Sequence, residues 1–219
     1  MKLSHQEFVQ DKNNIKKLVI LLHGYGSNGE NLLVLAPEIS KSIPEAKFIA
    51  PNATYNCDIG MKESYQWFSL AQHDPVKMST EIVRSNDILN NFIKEQLDKH
   101  DLTKKDLILI GFSQGAMMSM YTSLKSSEEP AAIIALSGRL ILPNDINSKP
   151  KICLVHGSDD DVVGYHFLSE AEKGLAKLGI KYESHSLNNL GHSIDYRVIK
   201  IIQNYIKKIS WEENMEYIG

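Results

Sequence analysis

Three side chains in this sequence can together cleave an acyl bond: a serine at 113, an aspartate within 159–161 and a histidine at 192. Ser113 stands in Gly111-Phe112-Ser113-Gln114-Gly115, between the apolar run Leu107-Ile108-Leu109-Ile110 and the helix-prone Ala116-Met117-Met118. A serine on a sharp strand-to-helix turn, flanked by glycines that remove clashing side chains, holds its hydroxyl above the strand end. That hydroxyl is a poor nucleophile at neutral pH until a base takes its proton, and the base needs a third group to fix its tautomer. His192 is the candidate base, since it follows a late strand and precedes the final helix. Among Asp159, Asp160 and Asp161, Asp160 is favoured as the orienting acid; the other two read as solvated loop charges, and the choice among the three stays open. His23 and His156 also lie at strand ends, but each precedes a glycine and reads as a turn brace.

A tetrahedral intermediate needs donors aimed at its oxyanion. The backbone N–H of Gln114, immediately after the serine, is one candidate, and that of Tyr25, in the loop after an early strand, is the other. Gly24 and Gly26 would let that loop approach closely.

These residues must be carried by a sheet. Leu18 to Leu22, Ala132 to Leu136 and Lys151 to Val155 are short, continuous apolar runs, the mark of strands covered on both faces. Lys47 to Ala50 and a polar stretch near Lys181 to Ser186 add two more. Ser27 and Glu30 have capping-box spacing before a helix that Pro37 interrupts. Apolar residues recur at helical steps over residues 77–100, 167–178 and 198–209, and Gly179 supplies a C′ stop. Strands alternating with helices predict a mostly parallel central sheet with helices on both faces, as one domain over residues 1–219 and with 210–219 as a loosely ordered tail. No insertion is long enough for a separate cap domain. Pocket walls must then come from loops, and residues 51–75, with Ile59, Met61, Trp67, Phe68 and Leu70, are too apolar for a solvated one: this segment, Ile59, Met61, Trp67 and Phe68 foremost, is the candidate wall for a small or medium acyl chain. The competing use of Trp67 and Phe68 is to anchor that loop to the core.

The formal charge of −3, from 27 acidic and 24 basic residues spread along the chain, leaves no basic stripe for nucleic acid and no polybasic membrane patch. No apolar leader or membrane-spanning run is present, which predicts a cytoplasmic protein; Cys153 reads as a free core thiol, and no Cys or His spacing fits a metal.

The order Ser113, Asp160, His192 is the one expected of α/β-hydrolases. With these residues placed, the chain resembles the phospholipase/carboxylesterase family of α/β-hydrolases, which includes acyl-protein thioesterases. The resemblance rests on Leu22-His23-Gly24-Tyr25-Gly26, Ala50-Pro51-Asn52, Trp67-Phe68, Gly111 to Gly115, Leu136-Ser137-Gly138, His156-Gly157-x-x-Asp160 and Gly191-His192-Ser193. It implies the same oxyanion donors, Tyr25 and Gln114, and hydrolysis of esters or thioesters through an acyl-enzyme without metal or cofactor. Implied substrates are small-molecule esters or thioesters, acylated protein or lysophospholipid; a homodimer is neither required nor excluded. Gly164 departs from the pattern, since members commonly carry proline there. Two other classes stay open: a dinucleotide-dependent oxidoreductase using Gly24-x-Gly26-x-x-Gly29, disfavoured because Ile49-Ala50-Pro51-Asn52 offers no acid for a ribose, and a non-catalytic binding protein on the same fold.

Overall fold

The computed structural model describes residues 2–70 and 74–216, the last four of these as backbone. Among the described residues nine strands and six α-helices follow in the order β1 (His5–Val9), β2 (Lys17–Leu22), α1 (Gly29–Leu33), α2 (Ala36–Ile39), β3 (Ala46–Pro51), β4 (Tyr55–Asn56), β5 (Tyr65–Gln66), α3 (Pro75–Lys99), β6 (Leu107–Phe112), α4 (Gln114–Lys125), β7 (Ala132–Leu136), β8 (Ile152–Gly157), α5 (His166–Lys177), β9 (Tyr182–Leu187) and α6 (Tyr196–Glu216). Seven strands form one sheet in the order β1-β3-β2-β6-β7-β8-β9, parallel throughout except for β1, which runs antiparallel against β3.

The apolar runs are continuous because both faces of the sheet are covered. Val19 and Leu21 of β2 pack with Leu32, Ile39, Ile202 and Ile206 from α1, α2 and α6. Their neighbours Leu18, Ile20 and Leu22 face the other way, onto Leu89, Phe92 and Ile93 of α3 and Met118 of α4. Successive strand side chains alternate between faces, so a strand with helices on both sides has no position left for a polar residue.

The strand order fixes where a ligand can go. From β2 the chain crosses to β3 on one side, and from β6 it proceeds through β7, β8 and β9 on the other. The loops leaving β2 and β6 therefore diverge at the carboxyl edge and open a crevice between them. Ser113 and Tyr25 lie in those two loops.

Several local expectations change. Asn28, rather than Ser27, caps α1: its side chain accepts from the Asn31 N–H at 3.0 Å, while the Ser27 hydroxyl accepts from the Asn31 side chain. The long helix starts at Pro75, with Asp74 as its N-cap, two residues before the apolar periodicity begins. Residues 51–75 are not wholly irregular, since β4 and β5 pair as a small hairpin. Residues 210–216, expected as a loose tail, continue α6: Ile209 is buried and Lys151 pairs with Glu212 at 2.8 Å, which holds that turn against the body. The end of that expected tail, 217–219, lies outside the described residues. Among the described residues no helix is long and apolar enough to cross a membrane.

Candidate active site

Ser113 takes φ 56° and ψ −118°, a backbone conformation that is costly for any residue with a side chain. The surroundings hold it there. Its N–H donates to Leu136 O at 2.8 Å, and its carbonyl accepts from Ala116 and Met117 as α4 begins. The flanking glycines are required sterically: a Cβ on Gly111 would lie 2.3 Å from Gly115 O, and one on Gly115 would lie 1.9 Å from Leu22 O. Their absence of side chains lets α4 press against β2 and β6 and forces the serine into the turn.

On the opposite side of the crevice, Gly24 approaches so closely that a Cβ there would be 3.2 Å from Ser113 Cβ. His23 braces this loop, as its sequence context suggested. It is buried; its Nδ1 donates to Gly24 O at 2.7 Å and its Nε2 accepts from the Ala53 N–H at 3.0 Å. Burial pushes its pKa down to about 4, so it stays neutral in that tautomer. The amides of Gly26 and Ser27 are committed to Tyr65 O and Gly24 O, whereas among the described residues none accepts from the Tyr25 N–H. Gln114 is the first residue of α4, so its N–H has no partner within the helix. The Tyr25 hydroxyl is pushed up to about 12 by burial and by its hydrogen bond with Cys57, so it remains a phenol.

Of the three consecutive acids only Asp160 points inward. It is buried, while Asp159 and Asp161 are exposed. Its Oδ1 accepts from the amides of Val162 at 3.1 Å and Val163 at 2.8 Å, and its Oδ2 accepts from His192 Nδ1 at 2.8 Å. Burial raises its pKa, but the hydrogen bonds from His192 and from these amides outweigh it, and the net shift is downward. The carboxylate thus stays ionised and fixes the His192 proton on Nδ1, leaving Nε2 as the basic nitrogen. The His192 ring lies 4.7 Å, centroid to centroid, from that of Phe112, the residue before Ser113.

The sequence context gave His156 as a turn brace without saying which turn, and two further parts of this arrangement were not foreseen. His156 donates from Nε2 to Val163 O at 2.8 Å and so pins the far end of the turn that presents Asp160, a role hinted at by the four-residue spacing from His156 to Asp160. The Gln114 side chain clamps the 67–68 segment, accepting from Trp67 N–H and donating to Phe68 O, both at 2.7 Å. A cleft of about 440 Å³ is lined by Phe68, Met78, Met117, Val163 and Phe167 among others. Of the residues expected to wall such a cleft, Phe68 and Leu70 line it. Trp67 is wholly buried, its Nε1 donating to His23 O at 2.9 Å, and so anchors the loop. Ile59 packs beside Gly26, and Met61 is largely exposed. Gly164 opens the turn into α5, its carbonyl accepting from Phe167 at 3.0 Å. Among the described residues no group of three or more His, Cys, Asp or Glu is placed to hold a metal ion.

The sequence profile of the phospholipase/carboxylesterase family matches residues 3–210. The chain belongs to that family. It is a hydrolase of carboxylic esters or thioesters with the α/β-hydrolase fold that its Ser, Asp, His order announced. Family relatives include acyl-protein thioesterase 1 homolog 1 of Dictyostelium discoideum, 30% identical with 87% of this chain and 89% of the relative covered, and acyl-protein thioesterase 1 of Emericella nidulans, 29% identical with 90% and 91% covered. Among solved structures, that of esterase PE8 superposes with a TM-score of 0.89 at 35% identity, covering 95% of this chain and all of that one. Nothing supports the dinucleotide alternative: α1 has only five residues, and the Gly29 amide that would face a phosphate donates to Asn52 Oδ1.

Proposed function

We propose that Ser113, His192 and Asp160 act as nucleophile, base and orienting acid in a one-domain serine hydrolase that prefers small to medium acyl chains. Ser113 Oγ attacks the acyl carbonyl carbon as its proton passes to His192 Nε2. The oxyanion is held by the amides of Gln114 and Tyr25. Collapse breaks the bond to the alcohol or thiol, which leaves with the proton from His192. Water then repeats the sequence on the acyl-enzyme, giving a carboxylic acid and the free serine. The observation that carries this reading is the 2.8 Å contact between a buried Asp160 and His192 Nδ1, next to a serine held at φ 56°. The acyl chain fits the 440 Å³ cleft floored by Phe68, Met117 and Val163, where each methylene should add up to ~0.8 kcal/mol until the cleft is filled. Esters, thioesters and lysophospholipids all remain candidate substrates. Two buried free cysteines favour a reducing, cytoplasmic setting.

The test is covalent labelling by a fluorophosphonate, together with kcat/KM over a series of acyl esters and thioesters. Labelling at Ser113 that is lost in Ser113→Ala supports the assignment, and label on another residue refutes it. A flat chain-length profile would remove the acyl chain from this cleft.

A further inference from the structure

The cleft lined by Phe68, Met117 and Val163 contains a residue whose chemistry the hydrolysis of a plain acyl ester does not use. Strand β7 ends at Leu136, and Ser137 follows at φ 48°. Gly138 is then pressed against α4, where a Cβ would sit 2.6 Å from the Ala116 Cβ. This sharp turn delivers Arg139 to the wall of the cleft, among Phe68, Met117, Val163 and Phe167. Its guanidinium carbon lies 5.9 Å from the Phe167 ring centroid. Among the described residues no carboxylate pairs with it. Asp74, which also lines the cleft, uses its Oδ1 as the α3 cap, accepting there from the amides of Val76 and Lys77.

A half-buried guanidinium in apolar surroundings loses hydration, and a stacked ring offsets only part of that loss. Its planar fork of donors matches a carboxylate. We propose that Arg139 makes this cleft a site for acyl groups that end in a carboxylate, so that the preferred substrates are half-esters or half-thioesters of dicarboxylic acids. The aliphatic part of such a group would lie on Phe68, Met117 and Val163 while its far end meets Arg139.

The charge belongs to the acyl side rather than to the leaving group because the two sides of Ser113 are distinct. The leaving group must take its proton from His192, which lines a second cleft of about 300 Å³ with Gly24, Leu32 and Phe112. The Arg139 cleft is instead tied to Ser113 through the Met117 amide, which donates to Ser113 O, and to the acid turn through Val163. This inference rests on the proposed roles of Ser113 and His192.

The experiment compares 4-nitrophenyl half-esters of glutarate and adipate with the neutral pentanoate and hexanoate esters, in wild type, Arg139→Gln and Arg139→Lys, with thermal melts of each. In wild type the charged member of each pair should have the higher kcat/KM, by about tenfold or more as expected of a hydrogen bond between charged groups. That ratio should shrink with added salt, fall towards or below one in Arg139→Gln and survive in part in Arg139→Lys. A wild-type ratio of one or less, or an equal ratio in Arg139→Gln, overturns the inference while neutral-ester turnover leaves the proposed function standing. Absence of turnover on every ester, with no fluorophosphonate label on Ser113, would refute both.

Discussion

Replacing His23 with asparagine should alter how stability responds to pH, by an amount that follows from the burial of the ring. In the folded chain His23 Nε2 accepts from the Ala53 N–H, and burial lowers its pKa from 6.5 to about 4. The folded state therefore binds a proton less readily than the unfolded state. Stability from this group is fully present above about 6.5 and is lost as pH falls towards about 4. At pH ~4.5 the difference amounts to about 2.5 kcal/mol, and at pH ~7.5 it is close to zero. Asparagine also removes the acceptor for Ala53, which should cost about 1–3 kcal/mol at either pH. The variant is thus clearly less stable at the higher pH, and the gap to wild type narrows or reverses at the lower one. Urea denaturation of both proteins at the two pH values measures this directly, and for a chain of 219 residues the narrowing corresponds to about 5–10 °C in Tm. Parallel loss of stability in the two proteins would show that His23 does not titrate between these limits, and the neutral tautomer inferred for the Gly24 loop would be wrong.

Ser113→Ala should lower esterase kcat by roughly 10⁴-fold or more without changing the melt, because it removes only a hydroxyl; near-normal turnover would refute the nucleophile assignment. Asp160→Asn should lower kcat by roughly 10²- to 10⁴-fold, while Asp159→Asn and Asp161→Asn, at exposed positions, should each cost less than about tenfold. The same Asp160→Asn change should flatten the acid limb of stability: the carboxyl is depressed when folded, so its contribution is present above the ordinary carboxylate range and disappears as pH falls through it, which acid titration of the melt will detect. Gly115→Ala should cost about 3 kcal/mol or more, or prevent soluble expression, since its Cβ would lie 1.9 Å from a backbone oxygen; Gly60→Ala, with open space but φ 71°, should cost only about 1–2 kcal/mol.

The parts of the site legible in the sequence were those whose demands are local. Gly111 and Gly115 bracket Ser113 because atoms four residues away, or on the adjacent strand, exclude a Cβ, and the apolar runs of β2 and β6 record burial on both faces. Asp160 was harder to separate from its neighbours, because inward pointing depends on a turn closed from outside by His156. β1 was missed because it is an edge strand of mostly polar residues, held by pairing with β3 and by Phe8 against Phe48 rather than by an apolar run. Composition could not divide the work within residues 51–75: Trp67 and Phe68 are both buried aromatics, and only contacts made by distant residues send one into the core and the other to the cleft. Arg139 follows a strand at the same sheet edge as the other site residues, a position that could have drawn attention to it.

Gln114 links two events that are usually separate in an enzyme. With its amide as an oxyanion donor, its side chain still grips the backbone of Trp67 and Phe68 through two short hydrogen bonds. On the roles proposed above, the wall that would measure the acyl group and the donor that would stabilise the charged intermediate are then one mechanical unit. An acyl group too wide for the cleft would press on Phe68 and, through that grip, draw the amide off its target. Poor substrates of this kind would bind almost as well as good ones yet turn over slowly, so that discrimination is read in kcat rather than in KM.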